Sequence, residues 1–155
     1  MIWRAILTTS KLTDHTGYWM RMVSNAVSQE FARKVAGQDV TVAEWSFMRA
    51  LYDYEPMPPS ILAEKMGMTK GAISKLAERL LVKGLVARTE SKEDKRAHSL
   101  SLTSEGRDKI PVLAALADEN DAEFFNTLTT EEHKTLNRIL KLLAERRGLN
   151  ATPMD

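Results

Sequence analysis

Cysteine is absent from this chain of 155 residues. Its absence excludes disulfide bonds, thiolate catalysis, cysteine-ligated zinc and redox sensing through a thiol. Long apolar runs are also missing, since none approaches the ~18 residues that a membrane-spanning helix needs. The first residues, MIWRAILTTS, form too short and too weakly apolar a stretch for a secretory signal. We therefore expect a cytoplasmic protein with no membrane partner.

Catalytic and metal-binding patterns are equally scarce. The three histidines, at positions 15, 98 and 133, lie far apart and lack the spacing of metal ligands. The sequence shows no nucleophile–base pair, no glycine-rich phosphate loop and no pair of acids in a credible pocket context. We expect no enzyme activity, no metal site and no cofactor.

Charge is unevenly distributed along a chain whose net charge is only +1. Residues 65–96 hold nine Lys or Arg and four Asp or Glu, a net of +5, whereas the rest of the chain carries a net of −4. A concentrated basic window favours a polyanion as partner. A solvated charged face is the alternative interpretation of the same window.

Apolar periodicity and helix-capping residues predict a mainly α-helical protein with one small antiparallel β hairpin. A long first helix is expected from Thr8 to Ala36, and a second from Val42 to Asp53. Thr69, Thr103 and Thr129 each precede a further predicted helix as an N-cap. Between the fourth and fifth helices, the short runs LVART (85–89) and HSLSL (98–102) are typical of two strands of a hairpin.

The strongest pattern occupies residues 60–89, SILAEKMGMTKGAISKLAERLLVKGLVART. Ala63 is small where two helices must cross closely, and Gly67 suits a tight turn with positive φ. Ile73 and Leu76 follow Ala63 by ten and thirteen residues, and with neighbouring apolar residues they would form the core between the two helices. This spacing predicts a helix-turn-helix.

The second helix of this motif has two predicted faces. Ile73, Leu76, Ala77 and Leu80 have i, i+3, i+4, i+7 spacing and are expected to face inward. The outward face, with serine and lysine near the helix start, suits the major groove of DNA. Ordinary surface solvation is the alternative for each charged residue taken alone. The candidate DNA contacts from this element are Thr69, Lys70, Gly71, Ser74, Lys75 and Arg79.

The run from Leu62 to Ile110 resembles the winged helix-turn-helix of the MarR family of bacterial transcriptional regulators. The most specific similarity is the wing, Asp94-x-Arg96-Ala97, followed by alternating residues and Leu102-Thr103-x-x-Gly106. The resemblance extends over about residues 12–147. It implies a winged helix-turn-helix flanked by dimerisation helices.

The resemblance also implies roles for the wing residues. Arg96 matches the arginine that enters a minor groove in that family, where a narrow A·T-rich groove concentrates negative potential. Lys92 and Lys95 would then lie near phosphates. Asp94 is expected to support the wing through backbone N–H groups or by orienting Arg96 or Arg88. A solvated aspartate in a turn is the alternative.

Two predicted helices carry more apolar residues than an exposed surface accommodates. One explanation is a core within the single chain. The other is a core between two subunits, which the resemblance favours and which would give a homodimer on a palindromic site. The residues concerned are Ile110, Leu113, Leu116 and Ala117 in the fifth helix, and Leu136, Ile139, Leu140 and Leu143 in the sixth.

MarR-like regulators often bind a small aromatic or phenolic molecule between the dimer helices and the DNA-binding lobe. An aromatic-rich lining with one cation would suit an aromatic acid. Core packing explains the same spacing equally simply. The candidate lining residues are His15, Tyr18, Trp19 and Met22 in the first helix, and Trp45, Met48 and Arg49 in the second.

The prediction is therefore a homodimeric, sequence-specific regulator that binds a palindromic operator in double-stranded DNA, acting as a repressor relieved by an aromatic ligand. The alternative is an architectural or protein-interaction winged-helix module without effector control. The predicted division is a dimerisation module of residues 8–39 and 103–147, a DNA-binding lobe of residues 40–102, and tails of residues 1–7 and 148–155.

Overall fold

The computed structural model describes residues 8–90 and 98–150. The predicted tail of residues 1–7, the end of the other tail (151–155) and the wing tip (91–97) lie outside the described residues. The element order confirms the predicted fold class of a mainly helical chain with one antiparallel hairpin. The elements are a 3₁₀ turn, Leu12–Asp14, then α1 (Thr16–Ala36), α2 (Val42–Tyr54), α3 (Pro59–Met66), α4 (Lys70–Val82), β1 (Val86–Glu90), β2 (His98–Leu102), α5 (Ser104–Phe125) and α6 (Thr130–Arg146).

Threonine caps begin four of the helices. Thr41, Thr69, Thr103 and Thr129 precede α2, α4, α5 and α6, and each side-chain oxygen accepts a hydrogen bond from the backbone N–H three residues later. This satisfies one of the donors that a helix N-terminus leaves without an internal partner. The three helix starts predicted from threonine, at positions 69, 103 and 129, are confirmed.

The first helix begins later than predicted. The predicted helix starts at Thr8, but α1 begins at Thr16, after His15 in an extended conformation. The Asp14 carboxylate accepts a hydrogen bond from the backbone N–H of Lys11 at 2.9 Å. A short polar side chain bound to the nearby backbone competes with helix formation, so the preceding residues form a separate 3₁₀ turn.

The hairpin has the register expected from its alternating pattern. Val86 pairs with Leu102 and Glu90 with His98. The leucines of HSLSL are buried and its serines are partly exposed. Met57, just before α3, adds an isolated antiparallel bridge to Leu100, with N–O distances of 2.8 and 2.9 Å. The hairpin is thereby attached to the start of the helix-turn-helix.

One hydrophobic core connects the helix-turn-helix with the ends of its neighbouring helices. Its members include Phe47 and Leu51 of α2 and Leu80 of α4, all fully buried. Ile110 and Leu113 of α5 belong to the same core. For these two residues the structure supports the single-chain alternative, because their side chains are covered without a second subunit.

Gly106 is the glycine of the pattern Leu102-Thr103-x-x-Gly106, and the structure explains why a glycine stands there. A Cβ atom at this position would lie 2.0 Å from the carbonyl oxygen of Leu85, well inside van der Waals contact. Thr103 lies beside the same segment, where its hydroxyl donates to the carbonyl of Gly84 at 2.7 Å. The glycine therefore allows α5 to begin directly against the base of the wing.

Candidate nucleic-acid interface

The turn before α4 fixes the direction of the helix predicted to enter DNA. Gly67 ends α3 with φ of 62°, the left-handed conformation that glycine adopts at little cost. The N–H of Met68 then bonds to the carbonyl of Ala63 at 2.9 Å. Thr69, one residue later, is the N-cap of α4. The sequence prediction of a tight turn at Gly67 is confirmed.

The two faces of α4 lie as the sequence predicts. Ile73, Leu76, Ala77 and Leu80 are buried in the core. The opposite face is exposed and consists of Lys70, Gly71, Ser74, Lys75, Glu78 and Arg79, with Thr69 exposed at the cap. A Cβ atom on Gly71 would meet nothing within 4 Å, so the surface beside it is open. The face combines flexible cations with small residues that permit close approach to another surface.

Arg79 differs from the rest of this face because it binds a buried carboxylate. Its Nη2 atom lies 3.0 Å from Oε1 of Glu44. Glu44 belongs to α2 and is only 1% exposed, whereas the Arg79 side chain is 53% exposed. Arg79 is therefore part of an ion pair within the lobe as well as part of its exposed face. Its guanidinium partly neutralises a charge that is unfavourable to bury alone.

A second cation from the same end of α4 reaches this carboxylate. Lys83 Nζ lies 2.9 Å from Oε2 of Glu44, although that oxygen accepts no well-aligned hydrogen bond from the described residues. Lys83 also donates to the carbonyl of Asp39 at 2.7 Å. Burial alone would raise the pKa of Glu44, but hydrogen bonds from Lys83, Arg79 and Thr41 outweigh it and hold the pKa below its ordinary value.

The base of the wing is connected to the exposed face of α4. Arg88 of β1 forms an ion pair with Glu78 of α4, and both side chains are largely exposed. Arg88 is one of the two arginines that Asp94 is expected to orient, and the structure shows Glu78 as a partner of Arg88. Among the predicted wing residues, Lys92, Asp94, Lys95 and Arg96 lie outside the described residues.

The predicted effector lining is not brought together within one chain. Trp45 packs edge to face on Phe31, with ring centroids 6.5 Å apart. Phe31 follows Trp19 by twelve residues, about 18 Å along the helix axis. Trp45 therefore lies near the far end of α1 from the predicted residues His15 to Met22. The seven predicted residues therefore do not line one cavity within the isolated chain, because Trp45 lies near one end of α1 and His15 to Met22 lie near the other.

The other candidate residues lie in the core, in a surface ion pair or in a surface depression. Met48 is fully buried in the core. Arg49 pairs with Asp53 at 2.8 Å and lies over the ring of Tyr52. His15, Tyr18 and Met22 line a surface depression of about 610 Å³ together with Leu12, Gly17, Arg21 and Asn25.

A second surface groove, of about 530 Å³, lies between α1 and the last two helices. Trp19 and Met20 contribute from α1, Phe125 from the end of α5, and Leu136 and Leu140 from α6. Trp19 is 49% exposed even though its indole N–H donates to the carbonyl of Thr13. The groove is therefore lined mainly by apolar side chains, among them a half-exposed tryptophan.

Across residues 8–90 and 98–150, none of the helices combines the length and the apolar composition needed to cross a bilayer. In the same parts of the chain, no three acidic or histidine side chains gather in the way that a metal ion requires.

Comparison with known proteins gives consistent matches. The sequence profile of the MarR family matches residues 40–98. The chain is 31% identical over 119 residues to the HTH-type transcriptional repressor MdtR of Bacillus subtilis, covering 77% of each protein. A mutant of MarR from E. coli complexed with operator DNA superposes with a TM-score of 0.76 at 22% identity, over 87% of this chain and 99% of that one.

A further similar structure concerns BpsR of Bordetella bronchiseptica, whose DNA binding is regulated by 6-hydroxynicotinic acid. It superposes with a TM-score of 0.77 at 18% identity and covers 88% of this chain and 98% of that one. At these identities the two structural matches establish a shared fold.

Proposed function

This chain belongs to the MarR family of transcriptional regulators, and we propose that it represses transcription as a homodimer bound to a palindromic operator in double-stranded DNA. The observation that carries the proposal is the exposed face of α4, with Lys70, Ser74 and Lys75 on a helix whose other face is fixed in the core. Lysine reaches guanine O6 and N7 or phosphate, and serine bonds to either kind of base edge. We place this action in the cytoplasm, where such a regulator meets the chromosome.

The contacts expected from α4 divide into two roles. Ser74 and Lys75 would read base edges, and Gly71 would let the helix axis approach the groove. Thr69 and Lys70, at the exposed helix start, would contact phosphates, because the N-terminal end of a helix favours anions. This division makes α4 the source of sequence preference and its cap the source of register on the duplex.

The wing supplies the second set of proposed contacts. By its resemblance to the family's wing, Arg96 would enter the minor groove next to the site read by α4, and Lys92 and Lys95 would neutralise phosphates. Asp94 would support the loop. The ion pair between Arg88 and Glu78 supports this arrangement, because it connects the first strand of the wing to the helix that would lie in the major groove.

The second subunit is proposed from the apolar surface of the outer helices. No residue of α6, all of which the structure describes, is buried. Three of its large apolar side chains are each at least 40% exposed: Ile139, Leu140 and Leu143. A second copy would cover this surface together with the exposed side of α1, so residues 8–39 and 103–147 would form the dimerisation module. Two recognition helices related by a two-fold axis then require two symmetric half-sites.

We also propose that a small aromatic acid relieves repression. The depression at His15, Tyr18 and Met22 contains Arg21, which supplies a cation that would suit a carboxylate. The regulation of BpsR by 6-hydroxynicotinic acid supports this class of effector. Hydroxybenzoic and hydroxynicotinic acids should release the duplex at millimolar concentration or below, and less so from Arg21→Ala. No release by any member of this class would contradict the effector proposal.

Selection of random duplexes followed by sequencing tests the central part. We expect one enriched palindrome, and we expect Lys75→Ala to weaken its binding by about 1–3 kcal/mol. Lys134→Ala is the matched control, since Lys134 is an exposed lysine of α6, a helix with no residue in the proposed DNA contacts. Duplex binding with no enriched sequence would favour an architectural role, and no binding would contradict DNA recognition altogether.

A further inference from the structure

We infer that Glu44 is a positioning residue, which holds the guanidinium of Arg79 in the orientation needed to bind a DNA phosphate. The inference deepens the proposed function and rests on it. Glu44 itself lies in α2 and is buried, so it would act through Arg79 without touching the nucleic acid.

The contacts of Glu44 converge on one carboxylate. Oε1 lies 3.0 Å from Arg79 Nη2 and 3.3 Å from Lys83 Nζ. The hydroxyl of Thr41 lies 3.1 Å from the same oxygen and also caps the helix that carries Glu44. The carboxylate is therefore fixed by its own helix and by two cations from the end of α4. A group restrained from three directions is a suitable anchor for a flexible side chain.

The position of Arg79 allows it to bind two anions at once. Its planar guanidinium has five N–H donors in a fixed fork, and Nη2 is directed at Glu44. The Arg79 side chain is 53% exposed, on the face of α4 that also carries Lys75. A guanidinium held by a carboxylate on one edge retains donors for a phosphate on the other. Fixing the plane before binding reduces the conformational entropy that the complex must lose.

The alternative is that Glu44 serves only the stability of the lobe. The two roles predict opposite signs for one measurement. A carboxylate near the DNA-binding face weakens the attraction for phosphates, so neutralising it should strengthen binding if orientation does not matter. If Glu44 positions Arg79, neutralising it should weaken binding in spite of the more favourable net charge.

Glu44→Gln provides this test because it removes the charge and preserves the shape. The affinity for the duplex enriched from the wild-type selection is measured over a series of salt concentrations, with folding verified by circular dichroism. We expect roughly five- to tenfold weaker binding. We also expect log K to fall less steeply with log salt concentration. If the phosphate contact is lost entirely, the magnitude of this slope should decrease by about 0.9 per subunit.

The Arg79→Ala background shows whether the effect passes through Arg79. There, Glu44→Gln should cause no further weakening. Tighter or unchanged binding by Glu44→Gln in the wild-type background would overturn the inference. So would an equal weakening in the Arg79→Ala background. Failure of the wild-type protein to bind any duplex would overturn the proposed function as well, which distinguishes the two failures.

Arg79→Lys keeps the test decisive if Glu44→Gln does not fold. Lysine retains the positive charge but lacks the planar fork that binds two anions in defined directions. The loss of DNA affinity in Arg79→Lys, measured as the change in log Kd, should be at least half of the loss in Arg79→Ala. Full retention of wild-type affinity by Arg79→Lys would show that charge alone suffices and would overturn the inference.

Discussion

Helices α4 and α6 are both amphipathic, yet they differ in what covers their apolar faces. α4 buries Ile73, Leu76, Ala77 and Leu80 within its own chain. α6 has leucine and isoleucine at similar spacing, and none of its residues, all within the described part of the chain, is buried. The comparison teaches that periodicity identifies an apolar face without identifying the surface that covers it. For α4 that surface is the lobe, and for α6 we propose a second subunit.

Truncation of one apolar residue should have the largest effect on stability. The loss should be independent of protein concentration for α4 and should depend on it for α6. Leu80→Ala should lower the free energy of unfolding by about 2–5 kcal/mol, because it leaves a cavity in a packed core. Since Leu80 is covered by its own chain, this loss should not depend on protein concentration. Leu140→Ala is the matched variant, and its melting temperature should approach the wild-type value at high concentration. Thermal unfolding over a hundredfold concentration range checks both.

Polar substitution on α6 should weaken the association of two chains without unfolding the single chain. The double variant Leu140→Ser, Leu143→Ser should weaken self-association by about 2–3 kcal/mol, as expected for central apolar residues of an interface. The lobe should keep its fold, because α6 contributes no buried residue to it. Sedimentation equilibrium measures the association and circular dichroism the fold. A monomer that is also unfolded would show that α6 stabilises the single chain.

The exposed face of α4 contains a smaller contrast of its own. Arg79→Ala should cost about 1–2 kcal/mol of folding stability, because it removes a hydrogen bond from a buried carboxylate. Lys75 lies one turn earlier on the same face, and Lys75→Ala should change stability by less than about 0.5 kcal/mol. Urea unfolding of both variants makes the comparison. Equal losses would mean that the ion pair with Glu44 contributes nothing measurable.

Acid should remove the contribution of Glu44 gradually. A carboxyl whose pKa is lowered on folding stabilises the protein above its unfolded value, near 4.5, and this stabilisation is lost as pH falls through the lower folded pKa. The stability difference between wild type and Glu44→Gln should therefore be constant near pH 7 and shrink as the pH falls below 4.5. Unfolding free energies from pH 7 to pH 3 test the sign. A difference that grows on acidification would contradict the lowered pKa.

Much of the fold follows from local sequence signals. Caps such as Thr69 and Thr129 act over three residues, and the turn at Gly67 depends on one backbone conformation. These were predictable because each cause lies within a few residues of its effect. The late start of α1 is also local in origin, but several polar residues precede this helix, and the sequence does not indicate that Asp14 is the one bound to the backbone of Lys11.

The candidate site was less predictable because its decisive contacts are long-range. Arg79 and Glu44 are separated by 35 residues in sequence, and nothing in the spacing around either residue indicates the other. Glu44 carries one recognisable signal, its position three residues after the cap Thr41, which suggests a capping role and not burial. The predicted effector lining is divided between separate places of the single chain for a related reason, because spacing along α1 does not determine where α2 packs against it.

Sedimentation velocity of the complex with the selected duplex tests the central claim most directly. Two chains of 17.5 kDa should be bound per duplex with two half-sites, and the free protein should sediment as a dimer. One chain per duplex, or a free protein that remains monomeric at the concentration where DNA is saturated, would contradict the account.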